Sequence, residues 1–359
     1  MHPLPDLAAA TTDLARGERL SADQVRLLVD GVLAGDVELE AFGRWLVALA
    51  EAGETAAEIA GVAAALRARM LPLEHGLPEG TLIADTCGTG GDGSGSFNIS
   101  TAAAIVAAAA GLPVAKHGNR AVSSRTGSAD VLAALGVKPD AGVETVARCL
   151  REIGLCFCFA PAHHPAMAKV GPLRKSLGRP TVFNLVGPLC NPAGAGVRVI
   201  GVGRPAAREP IAEAARLLGA RALVVSGFFA GDDAAAALPF DEVSLFGPTE
   251  VIDVTAGSRS SFRWRPEDFG LETLPADRLA DLQVAGPEES GAAIRGVLAG
   301  EPGPRRDVVV LNAAAVLFAA GRAADPAAAA RLAAEAIDTA AAADLLTRLA
   351  RESHRGGTA

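Results

Sequence analysis

The sequence predicts an α/β fold with a mixed or parallel sheet, led by a helical segment, and three observations carry that reading. The first 70 residues show apolar stripes at helical spacing behind capping signals. Beyond about residue 77, short β-like runs alternate with Ala-rich helical runs. Gly is abundant, 40 of 359 residues, against a usual share of about 7%, as tight loops between such elements require.

Ser21-Ala-Asp-Gln24 and Thr55-Ala-Ala-Glu58 both fit the capping box, in which a hydroxyl and a side-chain carbonyl satisfy backbone N–H groups reciprocally. Val25, Leu28 and Val32 share a helical face after the first cap. Leu39, Phe42, Leu46 and Leu49 form a second stripe, and Ile59, Val62, Leu66 and Met70 a third. Such stripes require a buried partner, either an internal bundle or a subunit interface. The character changes near Leu71-Pro-Leu-Glu-His-Gly-Leu-Pro. Strands are expected at Thr81–Ala84, Val114–Lys116, Leu155–Ala160, Val197–Val202, Ala222–Ser226, Val243–Leu245, Glu250–Val254 and Val308–Leu311. Helices are expected at Ala102–Ala110 and Glu209–Leu218, with helix and connector at Ala323–Ala336. Ligands of such sheets bind at loops leaving the carboxyl ends of strands.

The formal net charge of -8 argues against nucleic acid or an anionic lipid surface as partner, so an anionic ligand needs a local basic pocket. The longest Ala-rich apolar stretch, Ala102–Leu112, falls short of the ~20 residues that span a bilayer. Five Cys, an odd number, without a secretory leader predict a reducing cytoplasm. Cys156 and Cys158, in Leu-Cys-Phe-Cys-Phe, read as positions on a buried strand and not as metal ligands.

Two segments carry the chemistry. Asp85-Thr-Cys-Gly-Thr-Gly-Gly-Asp-Gly-Ser-Gly-Ser-Phe-Asn-Ile-Ser-Thr101 leads from a strand into a helix. Its glycines allow positive φ and close approach to a ligand, so that N–H groups can face phosphate oxygens. Asn98, Ser100 and Thr101 add donors at a helix start, where the dipole also favours an anion. The spacing is neither Gly-x-x-x-x-Gly-Lys-Ser/Thr nor Gly-x-Gly-x-x-Gly, which argues against a nucleotide P-loop or a dinucleotide fold. Lys116-His-Gly-Asn-Arg-Ala-Val-Ser-Ser-Arg-Thr-Gly-Ser128 supplies the local cations, Lys116, Arg120 and Arg125, among hydroxyls suited to phosphate.

Together these segments resemble the anthranilate phosphoribosyltransferase family. The resemblance runs through Gly-Thr-Gly-Gly-Asp (88–92), Asn-Ile-Ser-Thr (98–101) and Lys-His-Gly-Asn-Arg (116–120). It continues in Ala-Pro-Ala-His-His-Pro-Ala-Met (160–167) and Val-Phe-Asn-Leu-Val-Gly-Pro-Leu-Cys-Asn-Pro (182–192). Gly53-Glu-Thr55, Asp241-Glu242 and Asn312-Ala-Ala-Ala extend it over nearly the whole chain.

That family implies a small all-helical domain, residues 1–76, and a large α/β domain, residues 77–359, with a central mixed sheet flanked by helices; a later helical segment near 161–190 packs on the small one. It implies transfer of the 5-phosphoribosyl group of phosphoribosyl pyrophosphate to anthranilate, a step of tryptophan synthesis. It further implies Mg²⁺, two ions per monomer, and a cytoplasmic homodimer formed through the N-terminal helices. Carried over by position, Gly88, Gly91, Asp92, Ser96, Asn98, Ile99, Ser100 and Thr101 hold the phosphoribosyl donor. Lys116, His117, Gly118, Asn119, Arg120, Ala121, Val122, Ser123, Ser124 and Ser128 complete that site. Gly88, Asn119, His163, His164 and Arg174 face anthranilate, Arg174 pairing its carboxylate, and Ser100, Asp241 and Glu242 hold the metal. Two carboxylates on a turn can reach one metal site, whereas adjacent residues of a strand face opposite ways. The chemistry rests on positioning and charge stabilisation, with no catalytic nucleophile.

Some positions depart from the family pattern. Cys87 stands where an apolar residue is usual, Ser96 where Thr is usual, and Ser226 where His is frequent; the segment Phe228–Phe240 is longer. Two rivals are a pyrimidine nucleoside phosphorylase, which carries a Lys-Thr-Gly-Gly loop in place of Gly-Thr-Gly-Gly-Asp, and a non-catalytic nucleic-acid-binding relative, which needs a basic surface.

Overall fold

The computed structural model describes residues 4–121, 125–229, 240–255 and 257–356. Four helices come first: α1 (Leu7–Leu14), α2 (Ala22–Ala34), α3 (Leu39–Ala52) and α4 (Ala56–Arg69). Both expected capping boxes form, Ser21 with Gln24 and Thr55 with Glu58. The three apolar stripes, apart from Leu39 and Met70 at helix ends, bury in one core that they share with later parts of the chain; Val25, Leu28, Phe42, Leu46, Leu49, Ile59 and Val62 lose all contact with solvent. The partner of the stripes is thus internal.

The second part follows as β1 (Ala84–Gly88), α5 (Ile99–Ala109), β2 (Val114–Gly118), α6 (Ser128–Ala134), α7 (Val143–Ile153) and β3 (Leu155–Phe159). Short helices α8 (Ala160–His163), α9 (Gly171–Leu177) and α10 (Phe183–Val186) then return to the bundle, α9 packing on α3. Next come β4 (Val197–Gly201), α11 (Pro205–Leu217), β5 (Arg221–Gly227), β6 (Thr249–Val254) and β7 (Arg259–Trp264). Four helices close the described chain: α12 (Pro287–Leu298), α13 (Pro304–Ala319), α14 (Pro326–Asp338) and α15 (Ala341–Ser353).

The sheet order is β3-β2-β1-β4-β5-β6-β7. Strands β1 to β5 run parallel, and β6 and β7 are antiparallel, so the sheet is mixed. It separates two apolar cores. Leu223 and Val225 face α5, α13 and their neighbours, while Ala222 and Val224 face α11 and the helical bundle. This is the period-two alternation of a strand buried on both faces.

Two expected strands are not strands. Val308–Leu311 lies inside α13, where Val308 to Leu317 are all buried. A helix buried on every side loses the polar face that marks its period. Val243–Leu245 is buried loop: Val243 N–H donates to Asn312 Oδ1 at 2.9 Å, and Asn312 Nδ2 donates to the Val243 carbonyl at 3.0 Å. A side-chain amide from α13 therefore replaces a strand neighbour. Conversely, β7, Arg-Ser-Ser-Phe-Arg-Trp, is an edge strand with most residues exposed, so no apolar run announces it. The first strand begins at Ala84 and not at Thr81, placing Asp85, Thr86 and Cys87 in the sheet.

Candidate active site

β1 lies between β2 and β4, so the chain leaves it on one side and returns on the other. Loops on either side of such a switch diverge and leave a crevice. Here the sheet itself opens. β1 and β2 are in register only at Ala84 and Val114. Beyond that pair, Asp85 Oδ1 accepts the His117 N–H at 3.1 Å, and Lys116 Nζ donates to the Thr86 carbonyl at 2.6 Å. Asn191 Nδ2 bridges the split, donating to Asp85 Oδ2 at 2.7 Å and to the Ala115 carbonyl at 2.8 Å.

The glycine loop rises from the end of β1. Gly90, Gly91, Gly93 and Gly95 have φ of 69°, 81°, 72° and 67°, the left-handed region where a side chain would be strained. Asp92 Oδ1 accepts from Ser94 N–H at 3.0 Å and from the Ser94 hydroxyl at 3.1 Å, and Ser94 Oγ lies 3.1 Å from Ser96 Oγ, whose hydroxyl can donate to it. Asn98 anchors the start of α5: its N–H donates to Ser290 Oγ at 3.0 Å, and its Oδ1 accepts from Ser290 Oγ at 2.8 Å and from Thr126 Oγ1 at 3.1 Å. Ile99 and Thr101 are buried, so Ser100 is the helix-start side chain left half-open.

Asp241 and Glu242 lie on a turn across the strand ends, not on a strand. Asp241 Oδ2 accepts the Gly90 N–H at 2.9 Å, and Glu242 Oε1 accepts the Ser100 N–H at 3.1 Å. The turn sits this close because β1 and β4 both end in Gly. A Cβ at Gly201 would overlap the Asp241 carbonyl, and one at Gly88 the Asp241 carboxylate. Phe240 and Gly227 exchange both backbone hydrogen bonds, at 2.8 and 2.9 Å, fixing the turn to the end of β5. Residues 230–239, most of the long segment, lie outside the described residues. Ser226 is fully buried and donates to the Val202 carbonyl at 2.8 Å.

These carboxylates are electrostatically unbalanced. Burial, with Asp92 adding like charge against the opposing pull of Lys116, pushes Glu242 up to about 8. Burial and the neighbouring Asp92 and Glu242 push Asp241 well above the usual carboxylate range. Among the described residues no three Asp, Glu, His or Cys side chains form a metal cage. Two partly exposed carboxylates beside the Ser100 hydroxyl fit a hard cation such as Mg²⁺, which is commonly held by one or two carboxylates and substrate phosphates.

The basic loop leaves β2 toward the same crevice. Lys116 is buried and reaches Ser100 Oγ at 3.3 Å. Gly118 ends the strand, and Asn119 accepts the Ala129 N–H at 3.1 Å and the Ser128 hydroxyl at 3.3 Å through its carbonyl. Asp130, unassigned by the sequence reading, closes the loop: it takes the Ala121 N–H at 2.8 Å, the Gly127 N–H at 3.1 Å and Arg120 at 3.2 Å. Its signal was local, an acid three positions after an N-cap. Asp85 and Asn191 sit in motifs already singled out but were given no role. Arg125 reaches away, donating to the Val284 carbonyl at 2.9 Å. Val122, Ser123 and Ser124 lie outside the described residues.

The paired histidines separate. His163 is 1% exposed, donates through Nδ1 to the Leu71 carbonyl at 2.9 Å and contacts Cys158, so it packs in a seam and does not line an open channel. His164 faces His117, ring centroids 5.3 Å apart, and donates through Nε2 to the Cys190 carbonyl at 3.2 Å. Burial lowers both His117 and His164 to about 4, so both are neutral at physiological pH. Arg174, half-buried on α9, stacks over Phe183 at 5.3 Å and has no ion-pair partner among the described residues; burial lowers its pKa. Cys156 and Cys158 are buried on β3 with sulfurs 3.9 Å apart, and all five Cys are free thiols. Among the described residues no helix is long and apolar enough to cross a membrane.

Known proteins match this arrangement along its length. Residues 80–343 match the glycosyl transferase family, a/b domain, and residues 9–70 the helical bundle domain of the same family. A relative from Rhodopirellula baltica named anthranilate phosphoribosyltransferase is 44% identical over 348 residues, 97% of this chain and 98% of its own. The crystal structure of anthranilate phosphoribosyltransferase from Thermus thermophilus superposes with a TM-score of 0.84 at 42% identity, covering 96% of this chain and 99% of that one. The enzyme from Saccharomyces cerevisiae, in complex with PRPP and Mg, gives 0.83 at 28% identity, covering 97% of both chains. The crevice at the β1 switch, the glycine loop and the two-part architecture thus have one common explanation: the chain belongs to the glycosyl transferase family, among its anthranilate phosphoribosyltransferases.

Proposed function

We propose that this chain transfers the 5-phosphoribosyl group of phosphoribosyl pyrophosphate to anthranilate, releasing pyrophosphate, in tryptophan synthesis. One observation carries it. The glycine loop, the Lys116 loop and the Asp241–Glu242 turn, far apart in sequence, meet at a split in the sheet. In this reading Gly88, Gly91, Asp92, Ser96 and residues 98–101, with 116–124 and Ser128, grip the donor. Free N–H groups of the glycine loop face its phosphates, and Lys116 holds a positive charge beside Ser100. Ser100, Asp241 and Glu242 would hold Mg²⁺, two ions per monomer, and the metal would supply positive charge for the departing pyrophosphate. Arg174, preorganised on Phe183, pairs the anthranilate carboxylate; Gly88, Asn119 and His164 complete the acceptor side, and His163 positions His164. An aromatic amine needs no strong base, so positioning supplies most of the rate.

The division at residues 76 and 77, with 161–190 joined to the helical unit, is the frame for this site: α9 carries Arg174 and rests on α3. We take the protein to act as a cytoplasmic homodimer through its N-terminal helices, testable by sedimentation of the parent and of variants charged at Leu4 and Leu39, which are exposed.

The direct test mixes protein, anthranilate, phosphoribosyl pyrophosphate and Mg²⁺ and follows loss of anthranilate fluorescence. Pyrophosphate release with another aromatic acceptor only would replace the substrate, and no release with any acceptor would sink the reading. Arg174→Ala should raise KM for anthranilate by about 10- to 100-fold, the worth of a charge-assisted pair, with donor KM within about threefold. Equal loss for both substrates would remove Arg174 from the acceptor site.

A further inference from the structure

A second cavity, about 360 Å³, lies at the opposite end of the sheet, walled by the last turn of α4, the loop entering β4 and the loop between α11 and β5. Arg67, Arg198 and Arg221 border it, and no Asp or Glu does. Two of the three are tethered. Arg67 Nε donates to the Leu189 carbonyl at 2.7 Å, and Arg221 Nε to the Ala319 carbonyl at 3.1 Å. Each keeps further N–H donors, since a guanidinium has five.

Arg198 differs. Only 6% of it is exposed, yet its Nε has no partner, and the side chain closes no ion pair among the described residues. A buried cation is unfavourable unless paired. The nearest acid is Asp85, its register neighbour on β1, and both Asp85 oxygens are already engaged, by the His117 N–H and by Asn191. Burial and the nearby Arg67 charge press Arg198 below its ordinary pKa, consistent with a missing counter-charge.

We propose that this cavity binds a small molecule bearing an oxyanion, phosphate or carboxylate, on Arg67, Arg198 and Arg221. Planar guanidiniums converging on one space match the paired oxygens of either group. The cavity is larger than a bare phosphate, and Met70 and Leu218 give it an apolar wall for the rest of the ligand. It opens at the other end of β4 from the Asp241 turn, with Arg198 about 10 Å along the strand from Gly201, and Asn191, the bridge across the split, forms the wall between the cavity and the crevice.

The test is calorimetric titration with inorganic phosphate and with malonate, ionic strength held constant with NaCl, on the parent, Arg198→Met and Arg221→Gln. Neither residue contacts the glycine loop, and Arg221→Gln also leaves Asp85 and its His117 contact alone, so the loss in that variant reports this cavity. Arg198→Met should weaken binding by about tenfold or more and Arg221→Gln by about threefold. Should Arg198→Met fail to fold, Arg221→Gln decides alone. Response to phosphate only, or to malonate only, identifies the anionic group. Affinity unchanged in the folded variants, or no binding of either probe above chloride, overturns the proposal.

Discussion

In the helical bundle, the helix starts are fixed by local polar contacts: Ser21 and Thr55 each cap a helix through a residue three positions on, and the longer-range polar contacts within residues 4–70 span 39 positions at most, as from Arg19 to Glu58. In the crevice they are remote: Gly90 meets Asp241 across 151 positions, Ser100 meets Glu242 across 142, and Asn98 meets Ser290 across 192. The bundle can therefore lose one contact and keep its shape, because each helix is held by its own caps and by a wide apolar face. The crevice has no such redundancy. Its geometry depends on where whole loops land, so a fault there should cost turnover far more than stability.

Gly201→Ala tests that contrast where the effect should be largest. The added methyl overlaps the Asp241 carbonyl, so the turn must move. Overpacking of this kind costs about 1–3 kcal/mol, whereas misplacing charge-stabilising groups by ~1 Å costs on the order of 100-fold in rate. We expect turnover to fall by about two orders of magnitude and the Mg²⁺ requirement to rise, while the protein still unfolds cooperatively. Turnover within threefold of the parent would show that the turn does not depend on this approach.

Legibility in the sequence follows the same division. The caps and stripes of α2, α3 and α4 were readable because the signal for each lies within one or two turns. The glycine loop was readable too, since positive φ is written in the residue type. What escaped were features set by burial or by distant partners. Apolar residues 308–311 look alike in a buried helix and a buried strand, and only the surrounding elements decide. Val243 looked like a strand because it is buried, but its partner is Asn312. The exposed edge strand β7 has no apolar face to read, and Asn191 and Asp85 act through contacts that spacing does not encode.

A smaller effect links stability to pH through the crevice wall. His117 and His164 are held near 4 by burial, below the ordinary histidine value of about 6.5. Between those limits the unfolded chain binds protons that the folded one does not, so stability is full above about pH 6.5 and falls as pH drops toward 4. The loss should reach on the order of 2 kcal/mol per ring by pH 5. Glu242, held up to about 8, takes up a proton over the same range and acts in the opposite direction. The histidine contribution is therefore read as the difference between the parent and His164→Gln in urea titrations at pH 8 and pH 5, the variant losing less stability on going to pH 5. An unchanged slope in that variant would mean that other groups govern the acid limb.

The smallest effects belong to the bundle, where the two caps differ in what lies behind them. Ser21 is a solvent-facing cap, and Gln24 completes the box in water. Thr55 covers Glu58, which is fully buried; that carboxylate takes the Thr55 N–H at 2.8 Å, the Thr55 hydroxyl at 2.7 Å and Arg19 at 3.3 Å. Ser21→Ala should cost about 1 kcal/mol, an ordinary cap. Thr55→Ala should cost more, about 2 kcal/mol, because it also removes a donor from a buried charge. Both should leave turnover near that of the parent. Chemical denaturation ranks the two, and kinetics on the same samples checks the contrast with Gly201. Equal costs would mean that Arg19 and the residue-55 N–H satisfy Glu58 without the hydroxyl, and a fall in turnover in either variant would mean that the bundle positions the crevice more tightly than its local contacts indicate.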